Sequence, residues 1–129
     1  MTNEQIRNAL YSMLNNAALG YPIAWPGFNF TPPATGVWLQ VDFFPNEGID
    51  EGMADNSTVI PQGIFQVMVC SRPGAGVASI NQAIGEVSSM FGKGSTIVGM
   101  VRVRRSPYES DRILQDDRMM IPLTIQYTG

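Results

Sequence analysis

Few side chains in this sequence could perform acid–base or nucleophilic chemistry. It has no histidine in 129 residues. That removes the commonest general base and metal ligand, together with every Ser–His or Cys–His arrangement. The single cysteine, Cys70, ends an apolar run without a base beside it, so we expect a buried, unreactive thiol. One cysteine cannot form a disulfide within the chain.

Carboxylates could act in pairs, and Asp116 and Asp117 are the closest pair. Adjacent residues in a turn usually point in different directions, so we expect no shared catalytic role for them. Asp50, Glu51 and Asp55 offer oxygen ligands, but their spacing lacks the Asp-x-Asp-x-Asp-Gly run of a calcium loop. We therefore predict no catalytic residue, no metal site and no cofactor.

Two glycine-rich segments, 72–76 and 92–95, could cradle phosphate. The first precedes a predicted helix, whose N-terminus favours anions. It lacks the Walker spacing and its Lys-Ser/Thr end, so we interpret it as a strand-to-helix turn. In the second, Lys93 follows a helix, where a cation is favoured by the helix dipole.

The charges are distributed unevenly along the chain. A net charge of -3 argues against a dedicated nucleic-acid binder. The candidate interface residues are five acidic ones and a cluster of arginines: Asp42, Glu47, Asp50, Glu51, Asp55, Arg102, Arg104 and Arg105. One hypothesis pairs the acidic segment with the arginines of a neighbouring subunit. The alternative is that the arginines line a solvated strand edge, where charge discourages aggregation.

Composition predicts one domain covering residues 1–129. The charged fraction is 15%, against about a quarter in an average protein, and the chain has eight methionines. A subunit with buried interfaces would show this composition, and so would a methionine-rich core. No apolar run approaches the roughly 20 residues of a membrane span, and no signal peptide is apparent. We expect a protein made in a cytoplasm, without a membrane partner.

The first half of the chain predicts one helix and two strands. Residues 2–18 carry a helical apolar stripe, with Thr2 and Gln5 forming a capping box. A short strand over 23–25 follows, and then an alternating strand over 37–44. The acidic segment 45–58 has no periodicity and is predicted to be a long connection.

The second half predicts a strand over 59–70 that is apolar on both faces and therefore central. A helix over 77–91 and a strand over 96–104 follow it, and together they form a possible right-handed crossover. After a loop over 106–111 come a short strand over 112–115 and the last strand over 119–127. Within this last strand, Pro122 predicts an edge position or a break.

This α-β-β-β-α-β-β order predicts an α+β fold. A mainly antiparallel or mixed sheet would form one layer, and the two helices would form the second layer of a two-layer sandwich.

The order of these elements, together with several short phrases, resembles the tail terminator proteins of long-tailed bacteriophages. In that family a helix precedes an apolar-Ala-Trp-Pro phrase with Pro-Pro after it, a Trp-Leu-x-Val strand, a loop and a Gly-x-x-x-Val-x-Val strand. The corresponding segments here are 23–33, 37–41, the loop from Pro45 and 63–69. The glycines of turn 72–76, helix 77–91 and the two closing strands complete the likeness. Gly27 and the long acidic connection depart from the family pattern.

The resemblance implies a structural protein of the virion tail that assembles in the host cytoplasm. It implies a hexameric ring that caps the tail tube, ends tube polymerisation and offers a surface for head–tail joining. The implied partners are further copies of the chain, the tail tube protein and a head-completion protein. DNA would pass through the lumen without specific binding.

Three other functions remain open from the sequence. The chain could be another neck or tail component, either a head-completion protein or a tube protein that polymerises into long tubes. A small hotdog-like enzyme would need a carboxylate such as Asp42 or Glu86 near a helix N-terminus. A generic binding module could hold its partner with segment 45–58.

Overall fold

The structure is a computed structural model that describes residues 3–17, 20–27, 29–33, 36–50, 59–74, 78–99, 101–115 and 118–128. The side chains of residues 3, 47–50 and 59–61 lie outside that description. Within the described residues, the elements in chain order are α1 (Asn3–Asn16), β1 (Ile23–Ala24), β2 (Trp38–Asp50), β3 (Val59–Ser71), α2 (Ala78–Met90), β4 (Thr96–Val98), β5 (Val101–Val103), β6 (Tyr108–Glu109), β7 (Ile113–Gln115) and β8 (Arg118–Thr128).

The strands form one mixed sheet in the order β1-β2-β3-β8-β5-β4, and β6 and β7 also pair with β8. The pair β1–β2 is parallel and the other pairs are antiparallel. The predicted α+β class is confirmed, because the helices cover one face of this sheet and share one core with it.

Alternation along the strands determines which face is covered. Leu39 and Val41 of β2 and Phe65 and Val67 of β3 are buried against the helices. The intervening side chains of β3 are half-buried, and β3 is paired on both sides, so the predicted central strand is confirmed.

Each helix contributes one apolar stripe to this core. The buried stripe residues of α1 are Ile6, Leu10 and Leu14, and those of α2 are Ile80, Ala83, Ile84 and Val87. Both helices match the predicted spacing, although Thr2 of the predicted capping box lies outside the described residues. No helix in the described part of the chain is long and apolar enough to cross a membrane.

The acidic connection is shorter than predicted. Strand β2 does not end at residue 44 but continues to Asp50 opposite β3, with a register shift between Asn46 and Ile49. Pro45 is tolerated because this part of β2 is paired only with β3 among the described strands, and an edge position can lack an N–H donor. The register shift breaks the alternation, which explains why periodicity failed to indicate a strand here. Residues 51–58 lie outside the described residues.

The predicted strand over 96–104 is wrong in detail, because it is a hairpin of β4 and β5. Gly99, with a φ of 54°, provides the left-handed backbone for the reversal. The strand that follows α2 is β4, which is antiparallel to β5 and therefore also to β3, so the predicted crossover to a parallel strand does not form.

Pro122 does not mark an edge strand, because β8 is paired on both sides. Its carbonyl accepts a hydrogen bond of 2.9 Å from Ser110 N, between the segments that pair as β6 and β7. The N and O of one residue point to the same side in an antiparallel strand. The missing N–H of Pro122 therefore faces the space between β6 and β7 and not β3. The interruption lies in the ladder that β8 forms with β6 and β7, while the β3–β8 ladder is unbroken.

Candidate subunit-interaction surfaces

The sheet face turned away from the helices has a buried cluster at one end. Trp38, Cys70 and Met120 pair across β2, β3 and β8 and form this second apolar cluster, with Phe30 packed on it. Burial raises the pKa of the Cys70 thiol to about 12, so almost no thiolate exists at neutral pH. The expected buried and unreactive cysteine is therefore what the geometry shows.

Two guanidinium groups lie over the Trp38 indole. The Cζ atoms of Arg72 and Arg118 are 5.3 Å and 5.5 Å from the ring centroid, within the range of cation–π attraction. Arg72 also donates from Nε to Pro33 O at 3.0 Å and from Nη2 to Pro32 O at 3.3 Å. These contacts hold the proline-rich segment 29–33 against this end of the sheet.

The middle of the same face is polar. Asp42 of β2 pairs with Gln66 of β3, which pairs with Thr124 of β8. Asp42 is half-buried, and the loss of solvent raises the pKa of its carboxyl. A neighbouring cation would be favoured here because it would offset that loss of hydration.

The acidic candidates are arranged along β2 and beyond it. Glu47 and Asp50 lie on β2 at its far end, whereas Glu51 and Asp55 fall outside the described residues. Strand β8 ends its pairing where Thr128 meets Gln62, but β2 and β3 remain paired farther out, to Asp50 and Val59. In the described residues, β2 and β3 thus form a two-stranded arm that continues past β8.

The three candidate arginines lie at the same end of the sheet. Arg102 of β5 is paired with Thr128, and Arg104 N donates to Gln126 O at 2.7 Å. Arg102, Arg104 and Arg105 are all exposed, while Val101 and Val103 point into the core. Three strand spacings of about 4.8 Å separate β5 from β2, or about 14 Å. The two candidate groups therefore occupy different strands at one end of the sheet.

The described residues line at least two surface depressions. The larger is about 320 Å³ and is lined by Tyr11, Ser12, Asn15, Asn16, Trp25 and Pro26. The Tyr11 and Trp25 rings lie 5.1 Å apart between centroids. The smaller is about 130 Å³ and is lined by Asn46, Gln62, Gly63, Ile64, Arg104, Gln126 and Tyr127. Neither contains a nucleophile beside a base.

The structure places neither Asp42 nor Glu86 at a helix N-terminus, where a hotdog-like enzyme would require a carboxylate. Glu86 lies within α2 and accepts a hydrogen bond of 2.7 Å from the Tyr21 hydroxyl. Asp42 alternates with the core residues Val41 and Phe43 and so points to the face away from the helices. Within the described residues, no group of His, Cys, Asp and Glu side chains could hold a metal ion.

Sequence reasoning missed one surface feature, namely large exposed apolar side chains. They are Phe44, Tyr108, Ile113 and Leu114. Phe44 already stood among Trp38, Gln40 and Asp42 in the alternating pattern, so its exposure could have been inferred once that face was known to lack helices. Ile113 and Leu114 gave no comparable signal, because their strand has three residues.

The sequence of this protein matches a known protein family over most of its length. The model of a family described as phage tail terminator protein matches residues 5–127. The chain belongs to the phage tail terminator family. The resemblance inferred from the sequence is thereby confirmed, and the protein is a structural component of a bacteriophage tail.

A solved structure is also similar to this tail terminator family member. It has a TM-score of 0.78 and 28% sequence identity, and the match covers 99% of this chain and 95% of the other. The name of that protein describes no function. No protein of curated function matches the chain in sequence.

Proposed function

We propose that this protein acts as one domain of residues 1–129 that caps the tail tube as a homo-oligomeric, hexameric ring. The ring ends tube polymerisation and presents the surface that joins the tail to the head. Its partners are further copies of itself, the tail tube protein and a head-completion protein. It assembles in the host cytoplasm, and DNA passes through its lumen without specific binding.

The observation that carries this proposal is the family match over residues 5–127, which covers both helices and nearly all of the sheet. The surface supports it. A structural ring needs no catalytic group, and the two depressions offer none. It does need surfaces that bind other proteins, and exposed apolar and charged side chains are present on the strands.

A closed ring requires a heterologous interface, in which one surface of a protomer meets a different surface of the next. We assign the acidic residues Asp42, Glu47, Asp50, Glu51 and Asp55 to one surface, and Arg102, Arg104 and Arg105 to the other. The assignment rests on the opposite charges of the two groups and on the distance of about 14 Å between β2, which carries Asp42, Glu47 and Asp50, and β5. Complementary charge across such a contact guides assembly and fixes its register.

The proposal is tested by the native mass of the purified protein, free and mixed with tail tubes, together with negative-stain images. Closed rings that bind one end of a tube and stop its growth are expected. Long tubes formed by this chain alone would instead identify a tube protein. A chain that neither forms rings nor binds tube ends would contradict the proposal.

The charge assignment predicts that the double substitution Arg102→Glu, Arg104→Glu weakens the ring, because the substituted strand then repels the acidic surface. Arg7→Glu, on the exposed face of α1, is the matched control, and its ring should persist. Native mass spectrometry at increasing salt reads both. An oligomer of the double variant as stable as that of the control would refute the assignment.

A further inference from the structure

The exposed apolar side chains lie on two sides of the sheet. Phe44, 50% exposed, lies on β2, which pairs with β1 only at Leu39 and Gln40. Ile113 and Leu114, the latter 69% exposed, lie on β7, which pairs with β8. Strand β3 separates β2 from β8, so these two apolar sites lie on opposite sides of the central pair.

The charges beside the two apolar sites are complementary. Near Phe44, β2 carries Asp42 on the same face and Glu47 and Asp50 farther along. On the opposite side, residues 101–115 contain four arginines and two carboxylates: Arg102, Arg104, Arg105, Arg112, Glu109 and Asp111. The first side is therefore acidic and the second carries a net positive charge.

We propose that Leu114 of one protomer packs against Phe44 of the next copy, with Arg112, which precedes Leu114 by two residues and so shares its face, near Asp42. This contact deepens the proposed ring and rests on it. It is heterologous, since each protomer uses one side as donor and the other as acceptor, and ring closure leaves neither side exposed. A cation near Asp42 would also offset the partial desolvation of that carboxyl.

The area available fits an anchor within a larger interface. Half of a phenylalanine surface is roughly 100 Å². Phe44 and Leu114 together supply roughly 200 Å², whereas a standard interface buries about 800 Å² on each partner. Anchors of this kind, surrounded by a charged rim, commonly contribute most of the affinity, so losing one weakens a contact at least about 30-fold.

The test uses two variants of the full chain, Phe44→Glu and Leu114→Glu, each of which removes one side of the contact. Each variant alone should run near the protomer mass of 14.1 kDa in native mass spectrometry. In an equimolar mixture, the intact Leu114 side of one variant meets the intact Phe44 side of the other. The mixture should therefore form a heterodimer of about twice the 14.1 kDa protomer mass, and no ring.

The control is Asn8→Glu, which adds the same charge on the exposed face of α1 and should leave the ring intact. Circular dichroism verifies folding, and serine replaces glutamate at either position if a glutamate variant fails to fold. Both substituted sites are exposed, so a folded chain is expected.

Four results would overturn the proposal. Rings formed by either variant alone, or a mixture without a heterodimer, would overturn it and leave the ring function standing. A homodimer of Phe44→Glu would also overturn it, because Leu114 would then pack on itself. If the wild-type protein stays at 14.1 kDa in concentrated solution and forms no ring on tube ends, the ring and this contact are overturned together.

Discussion

The ring of the buried Tyr127 lies against Gly63, and replacing this glycine with alanine should measurably destabilise the fold. A Cβ at this position would lie 2.5 Å from the Tyr127 hydroxyl oxygen and 2.7 Å from the Phe44 carbonyl oxygen. The tyrosine ring cannot swing away freely, because it stacks on Phe43 with centroids 5.6 Å apart and planes 10° from parallel. The Phe44 carbonyl belongs to the backbone of β2, which pairs with β3 at this point.

The magnitude follows from two opposing terms. Overpacking a well-filled site costs about 1–3 kcal/mol, and a third short contact, 2.8 Å to Tyr127 Cζ, helps to place the cost near the upper end. Alanine recovers about 0.5–1 kcal/mol that glycine loses in backbone entropy on folding. We therefore expect Gly63→Ala to lower the free energy of unfolding by about 2 kcal/mol. For a chain of this size, that loss lowers Tm by roughly 8 °C.

Urea unfolding followed by circular dichroism measures the effect as a lower midpoint at constant m. Gly85→Ala is the matched control, since that exposed helical glycine has no atom within 4 Å of the added Cβ. It should gain about 0.5–1 kcal/mol. Tyr127→Phe should stabilise the Gly63→Ala variant by more than it stabilises the wild type, because the contact with the hydroxyl disappears while those with the tyrosine ring and the Phe44 carbonyl remain. A Gly63→Ala protein as stable as the Gly85→Ala control would refute the reasoning.

Two further substitutions test the environment of single side chains. The Tyr127 hydroxyl is buried without a hydrogen-bond partner, and burial raises its pKa to about 12 from the ordinary 10.0. Between pH 10 and 12 the tyrosine therefore ionises in the unfolded chain first, so the wild type should lose stability as the pH rises through this range. Tyr127→Phe should remove that part of the loss and gain about 1 kcal/mol at neutral pH, measured by urea unfolding; an unchanged alkaline profile would contradict this. Arg72→Lys keeps the charge but cannot reproduce the guanidinium geometry that reaches Pro32 O and Pro33 O. It should lower the free energy of unfolding by about 1–2 kcal/mol and speed amide exchange at Phe30 and Thr31. Unchanged exchange at these two amides would count against the assigned hydrogen bonds.

Periodic segments could be predicted from the sequence, and positions governed by the partner strand could not. The stripes of α1 and α2 and the alternation at Leu39 and Val41 identified the helices and the covered sheet face. The continuation of β2 past Pro45 could not be inferred, because a register shift removed the period and the stabilising pairing comes from β3. Likewise, whether Pro122 disrupts a ladder depends on which side its nitrogen faces, and that is a property of the assembled sheet.

The candidate surfaces could be predicted only as groups of charge. Clustering along the chain identified the acidic segment and the arginines. The distance of about 14 Å between β2 and β5 follows only from the order of the strands in the sheet. Exposure of Leu114 was hidden, because a three-residue strand has no period and its exposure depends on what the sheet leaves uncovered.

Strand β8 has a continuous ladder on one side and an interrupted one on the other. Its pairing with β3 is unbroken from Gln62 to Ser71, whereas β5, β6 and β7 pair with it as separate short segments. The free energy needed to open these short segments is therefore lower than that needed to separate β3 from β8. We therefore expect residues 104–115 to open locally before the rest of the sheet unfolds, and such opening would let this side of the protein adapt to a binding partner.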